Sequence, residues 1–118
     1  MGRRSRRRRT DEKQAPLATT DTPVGDGVIT LRDELSSGTL RTLADLDARP
    51  AASAEDRWQR RVEFLFERLV VRWEIAGLPL EGQKELLGRF RLASAEERRA
   101  VTRVLDEHLR ERHPEIYL

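Results

Sequence analysis

Between Ser53 and Ile75 the chain carries apolar side chains on two sides of one helical projection, and a helix of that kind has to be covered on both. Counted from Val62 at 100° per residue, Trp58, Leu65, Phe66, Leu69, Val70 and Trp73 fall within roughly 80° of it, an ordinary core-facing stripe. Phe64, Val71 and Ile75 fall on the opposite side, at roughly 180–220°. Ser53-Ala-Glu-Asp56 supplies an N-cap with an acidic first turn, and Gly77-Leu-Pro79 supplies the break. The pattern predicts one long helix from about Ser53 to Ile75, central to whatever the rest of the chain builds.

The other periodic segments are shorter. Leu40, Leu43, Ala44 and Leu46 predict a helix over 40–48, ended by Arg49-Pro50 because the residue before proline is pushed out of the α region. Pro79 suits the first position of a weaker helix carrying Leu86, Leu87 and Phe90, with Gly82 and Gly88 lowering its propensity. Ser94-Ala-Glu-Glu97 is a capping box, and the helix it starts carries Val101, Val104, Leu105 and Leu109 and stops before His113-Pro114. Val28-Ile29-Thr30-Leu31 follows a Gly25-Asp26-Gly27 turn signal and is rich in β-branched residues. It reads as one short strand, whose partner another molecule would have to supply, or, in preference, as an extended segment lying on the helices, since the chain shows no second strand candidate. The predicted fold class is all-α: a small domain of about four helices around the long central one, over residues 28–118.

A length of 118 residues is enough for one domain and not for two. The chain has no cysteine, which excludes structural disulfides, thiolate zinc sites and cysteine nucleophiles. Its apolar runs are only a few residues long, so no membrane span is expected. No apolar segment follows the first arginines as a secretory or twin-arginine signal requires, and Arg6 stands where a myristoylation start wants Ser or Thr. A soluble, cytoplasmic protein is expected. Arginine outnumbers lysine heavily (the lysines are Lys13 and Lys84) and asparagine is absent, a bias typical of GC-rich bacterial or phage coding sequences.

The net charge of +2 conceals a division. Residues 1–13 hold seven basic side chains against two acidic ones, and the remainder holds 16 against 19, so a +5 arm precedes a −3 body. Arg3, Arg4, Arg6, Arg7, Arg8 and Arg9 form a polyanion-binding candidate that would neutralise phosphates by counterion release without reading sequence. No aromatic residue is interleaved among them, so the arm offers no base stacking. A localisation tag and attraction to anionic lipid are competing uses of the same run. Gln14 to Gly27, with its Thr, Pro and Gly content, reads as a flexible linker, so residues 1–27 are expected to be a disordered arm and linker.

The catalytic inventory is sparse. His108 and His113 lack metal-ligand spacing, and His108 with Glu111 would make two ligands at most, with His108 bordering the core and Glu111 facing water. Ser53 and Ser94 are accounted for as N-caps. No glycine loop has phosphate-cradling spacing. A non-enzymatic protein with no cofactor, no metal and no small-molecule substrate is expected. The last two helices have roughly helix-turn-helix lengths, but Glu96, Glu97, Asp106, Glu107 and Glu111 on the second would repel phosphate, so specific DNA reading is not expected.

The second stripe of the long helix is the partner-binding candidate. Phe64, Val71 and Ile75 are flanked by Glu63, Glu67 and Glu74 on one side and by Arg61, Arg68 and Arg72 on the other. An apolar seam edged by opposite charges is how helices choose helical partners. Either the C-terminal helix of the same chain covers that seam, or a protein partner or second copy does.

The extended GVITLRDEL of residues 27–35, the LVVRWEIAGLPL of residues 69–80 and the closing LDEHL of residues 105–109 together resemble the small tail assembly chaperones of siphophages and related prophages. The resemblance spans about residues 27–109 and leaves the arm and linker outside it. It implies a helical, non-enzymatic protein that binds the tape measure protein during tail assembly, with Trp73 and Leu78-Pro79 adding to a partner surface around Phe64, Val71 and Ile75. The expected function is therefore that of an accessory or assembly protein that works by binding a protein. The alternative is a nucleic-acid-associated protein using the arginine arm.

Overall fold

The computed structural model describes residues 18–118 and divides the segment 53–75 between a helix and a strand. Among the described residues the chain runs β1 (Thr19–Val24), β2 (Gly27–Arg32), α1 (Ser37–Ala48), α2 (Ala54–Leu69), β3 (Val70–Ile75), β4 (Leu78–Leu80), α3 (Gln83–Leu92) and α4 (Ala95–Arg112). The strands form one antiparallel sheet in the order β1-β2-β3-β4. The fold is α+β, and the expectation of an all-α helical bundle is overturned by this four-stranded sheet.

The departure from the helix starts at Val70. Val70, Val71 and Ile75 are β-branched and stiff at χ1, and with Trp73 they favour a pleated, half-buried surface over a further helical turn. Ile75, Trp73 and Val70 lie opposite Gly27, Ile29 and Leu31, and the register shifts between Thr30 and Leu31 so that Val71 is the extra residue of a bulge. The bulge keeps Val70 and Trp73 on one face of the sheet although they stand an odd number of residues apart. Beyond Ile75, Ala76 at φ 51° and Gly77 at φ 81° make a two-residue turn in which both central residues have positive φ, the hairpin geometry that matches strand twist. Pro79, expected to open a helix, lies instead in β4 opposite Glu74, and α3 begins at Gln83.

Val28–Leu31, expected to lie unpaired, is the middle of β2 and is paired on both sides. Its neighbour β1 occupies a stretch that reads as linker. Thr20, Thr22 and Val24 lie opposite Leu31, Ile29 and Gly27 and share their face, so the threonines alternate as strand residues do. Gly25, at φ 59°, makes the turn. Pro23 is tolerated because β1 is an edge strand.

The helices cover one face of the sheet, and the other stays polar, with Asp21 accepting from the Thr30 hydroxyl and Arg72 near Glu74 and Glu81. The core joins Ile29 and Leu31 of β2, Trp73 of β3, Leu65, Phe66 and Leu69 of α2, and Val101, Leu105 and Leu109 of α4. The Phe66 ring stacks on Phe90 of α3 at 4.6 Å between centroids and meets Trp73 edge-on at 6.2 Å. Ser53 and Ser94 cap α2 and α4 as their sequences indicate, accepting from the backbone N–H of Asp56 and Glu97.

His108 is buried on α4, and its Nε2 donates to the carbonyl of Arg32 at 2.7 Å, tying that helix to the end of β2. Glu111 is exposed. His108→Ala removes a buried donor and leaves the Arg32 carbonyl without it, an expected loss of about 1–3 kcal/mol. Urea unfolding checks this, and an unchanged midpoint and slope would show that water replaces the imidazole at no cost.

Candidate functional site

The three residues of the predicted seam do not lie on one helix. Phe64 is on α2, half-buried against the core, with the Arg68 guanidinium 5.0 Å above its ring. Val71 is the half-buried bulge residue of β3, and Ile75 ends that strand, packed on the core beside a cavity of about 260 Å³. Trp73, implicated by the resemblance, is buried, whereas Leu78 and Pro79 on β4 are exposed.

Part of the charged flanks meets partners within the chain. Arg61 pairs with Asp47 of α1, donates to the Tyr117 carbonyl at 2.8 Å and lies over the Tyr117 ring. Glu63 accepts from Arg91 of α3 through both carboxylate oxygens, at 2.7 and 3.2 Å, and that hydrogen bond raises the affinity of the Arg91 guanidinium for its proton further above the ordinary arginine range. Glu67 adds a weaker attraction in the same direction. Arg72 and Glu74 belong to β3 and lie 3.8 Å apart. Of the sorted charges on α2, Glu63 is therefore answered by α3 and Arg61 by α1, whereas Arg68 has no carboxylate partner among the described residues. The polyanion-binding candidates Arg3, Arg4, Arg6, Arg7, Arg8 and Arg9 lie outside the described residues.

The arrangement that offers most to a ligand is a groove between the first half of α2 and α4. Trp58 lies in it with 43% of its surface exposed. Two adjoining cavities share Trp58, Arg99 and Thr102. One, of about 180 Å³, has an apolar floor of Val62 and Phe90 and is also lined by Glu55. The other, of about 400 Å³, continues toward Arg103, Asp106 and Leu118.

Arg98 is committed to capping α3, donating to the Ala93 carbonyl at 2.9 Å. Among the described residues neither Arg99 nor Arg103 has a carboxylate partner. Their i, i+4 spacing on α4 places like charges one turn apart, an arrangement that disfavours the isolated helix. The acidic residues of α4 are mostly elsewhere: Glu97 pairs with Arg89 at 2.8 Å, Glu96 lines the cavity at the β1–β2 turn, and Glu111 lines one beside Ala18. Asp106 reaches the groove and pairs with Arg110 at 2.9 Å. The groove face of α4 is thus basic although the helix as a whole is rich in carboxylates.

Sequence reasoning assigns Trp58 to the core stripe, since its projection angle matches Leu65 and Leu69. The stripe outruns the core at the first turns of α2, and the ring emerges beside α4. Arg57 and Gln59 on either side of it are the available signal that this end of the helix meets water.

Among the described residues no group of three or more His, Asp or Glu side chains is arranged to hold a metal ion, and no helix is long and apolar enough to cross a membrane. No protein-family model, no curated protein and no solved structure matches this chain.

Proposed function

We propose that this protein is a non-enzymatic accessory protein of the cytoplasm that acts by binding a protein partner, in the manner of the small tail assembly chaperones its sequence resembles. The observation that carries this reading is the half-exposed Trp58 between an apolar floor and two arginines that have no carboxylate partner among the described residues. Tryptophan and arginine dominate the energetics of protein–protein interfaces, where a large ring fills a pocket and a guanidinium pairs at its rim. The alternative, nucleic-acid association through Arg3 to Arg9, draws its support from the sequence of the arm alone.

Trp58→Ala tests the reading. The ring is more than half covered, so its loss lowers stability, and binding is compared at a temperature where circular dichroism shows both forms folded. A tape measure protein copurified with the chain should be held at least about thirtyfold more weakly, the loss expected of an interface hot spot. Equal affinity for both forms, measured by calorimetry, would refute this use of the groove.

A further inference from the structure

We infer that the groove between α2 and α4 receives an acidic amphipathic helix of the partner, seating one large apolar side chain against Trp58 and setting carboxylates against Arg99 and Arg103. The inference rests on the protein-binding reading above and specifies the chemistry of the partner segment.

Charge complementarity is the first ground. Arg99 and Arg103 stand one turn apart, about 6 Å along the α4 axis, and among the described residues no carboxylate pairs with either. A helix laid along α4 presents side chains at the same i, i+4 interval, so two of its carboxylates meet both guanidiniums and relieve their mutual repulsion. The floor is the second ground. Val62 and Phe90 are buried residues whose edges line the smaller cavity, which is sized for a single large apolar side chain next to the indole. An apolar anchor beside two acidic residues one turn apart is the pattern of an amphipathic helix docking in a groove.

The carboxylates in the groove favour this occupant over a nucleic acid strand. Glu55 lines the smaller cavity and Asp106 the larger. A phosphate backbone tracking along the groove meets both carboxylates, whereas a helix needs negative charge only where Arg99 and Arg103 stand.

The protein has two tryptophans, Trp58 in the groove and Trp73 in the core, so its two indole N–H resonances separate docking from unfolding. The full chain would be titrated with a synthetic helical peptide carrying one leucine anchor and glutamates, with its lysine counterpart, and with a short oligothymidylate. The glutamate peptide is expected to move the Trp58 resonance, to leave Trp73 in place, and to bind about fivefold or more tighter than the lysine peptide, the effect of two solvent-exposed ion pairs. In the double variant Arg99→Glu/Arg103→Glu the preference reverses, and an unmoved Trp73 resonance shows that the fold is intact. Equal response to the two peptides, no response to either, or movement of Trp58 by the oligothymidylate alone overturns the inference. Any of these beside a tape measure protein complex weakened by Trp58→Ala sinks the acidic-helix partner while sparing the protein-binding reading, which fails on its own if that substitution leaves the complex intact.

Discussion

Phe66→Ala is expected to remove about 3–5 kcal/mol of stability, most of what a domain of this size possesses. Phe66 is fully buried on α2, and its ring is the one that touches both the stacked Phe90 of α3 and the edge of Trp73 in the sheet. Truncating it opens a cavity where three elements meet, and none can close it without drawing away from the other two. The surrounding Leu65, Leu69 and Leu105 are themselves fully buried and have no free volume to move into. Urea unfolding followed by tryptophan fluorescence measures the loss, with Trp73 as the reporter beside the cavity. A loss nearer to that of an exposed substitution would mean that the core repacks around the gap.

Gly27→Ala carries the second large effect, through contact rather than backbone conformation. A Cβ at this position would lie 2.0 Å from the carbonyl oxygen of Glu74 and 3.1 Å from its carbon, both backbone atoms of β3. No rotamer change relieves that clash, so the Gly27–Ile75 end of the ladder has to part. The expected cost is about 3 kcal/mol, the upper end of the usual range for overpacking. Gly88→Ala provides the contrast. There the added methyl meets nothing within 4 Å, and the helix gains about 0.5–1 kcal/mol because alanine has less freedom to lose. Thermal unfolding of the two variants side by side should move in opposite directions; a neutral Gly27→Ala would mean that β2 and β3 sit farther apart than this register implies.

Much of the helical content was legible in the residues. The caps Ser53 and Ser94, the stop at Arg49-Pro50 and the long C-terminal helix follow from local rules that tertiary structure did not overrule. The sheet was not legible, for two separate reasons. Leu69, Val70 and Trp73 stand at i, i+1 and i+4, which a helical projection accepts, and the bulge at Val71 gives a strand the same spacing on one face. Thr19–Val24 has the composition of a linker, and only its pairing with β2 turns alternating threonines into an inward face. A strand is defined by its partner, and β2, with both partners hidden, looked like an isolated extended segment.

The groove was hidden in another way. Trp58, Arg99 and Arg103 are ordinary members of two helices, and nothing local to either indicates that the first turns of α2 lie beside the middle of α4. The charge sorting on α2 was legible, but its meaning was not, because Asp47 and Arg91 answer it from within the chain.

The order of strands also bears on how the protein is made. Each hairpin closes locally, but the ladder between β2 and β3 joins residues separated by both α1 and α2. During synthesis β1 and β2 leave the ribosome as a pair, and the β2 edge carrying Ile29 and Leu31 then waits roughly 2–8 s for the next 40 or so residues at ordinary elongation rates. An open strand edge is a template for pairing with other chains. The nascent protein is therefore most exposed to misassociation after its first hairpin has formed and before Trp73 arrives to cover it.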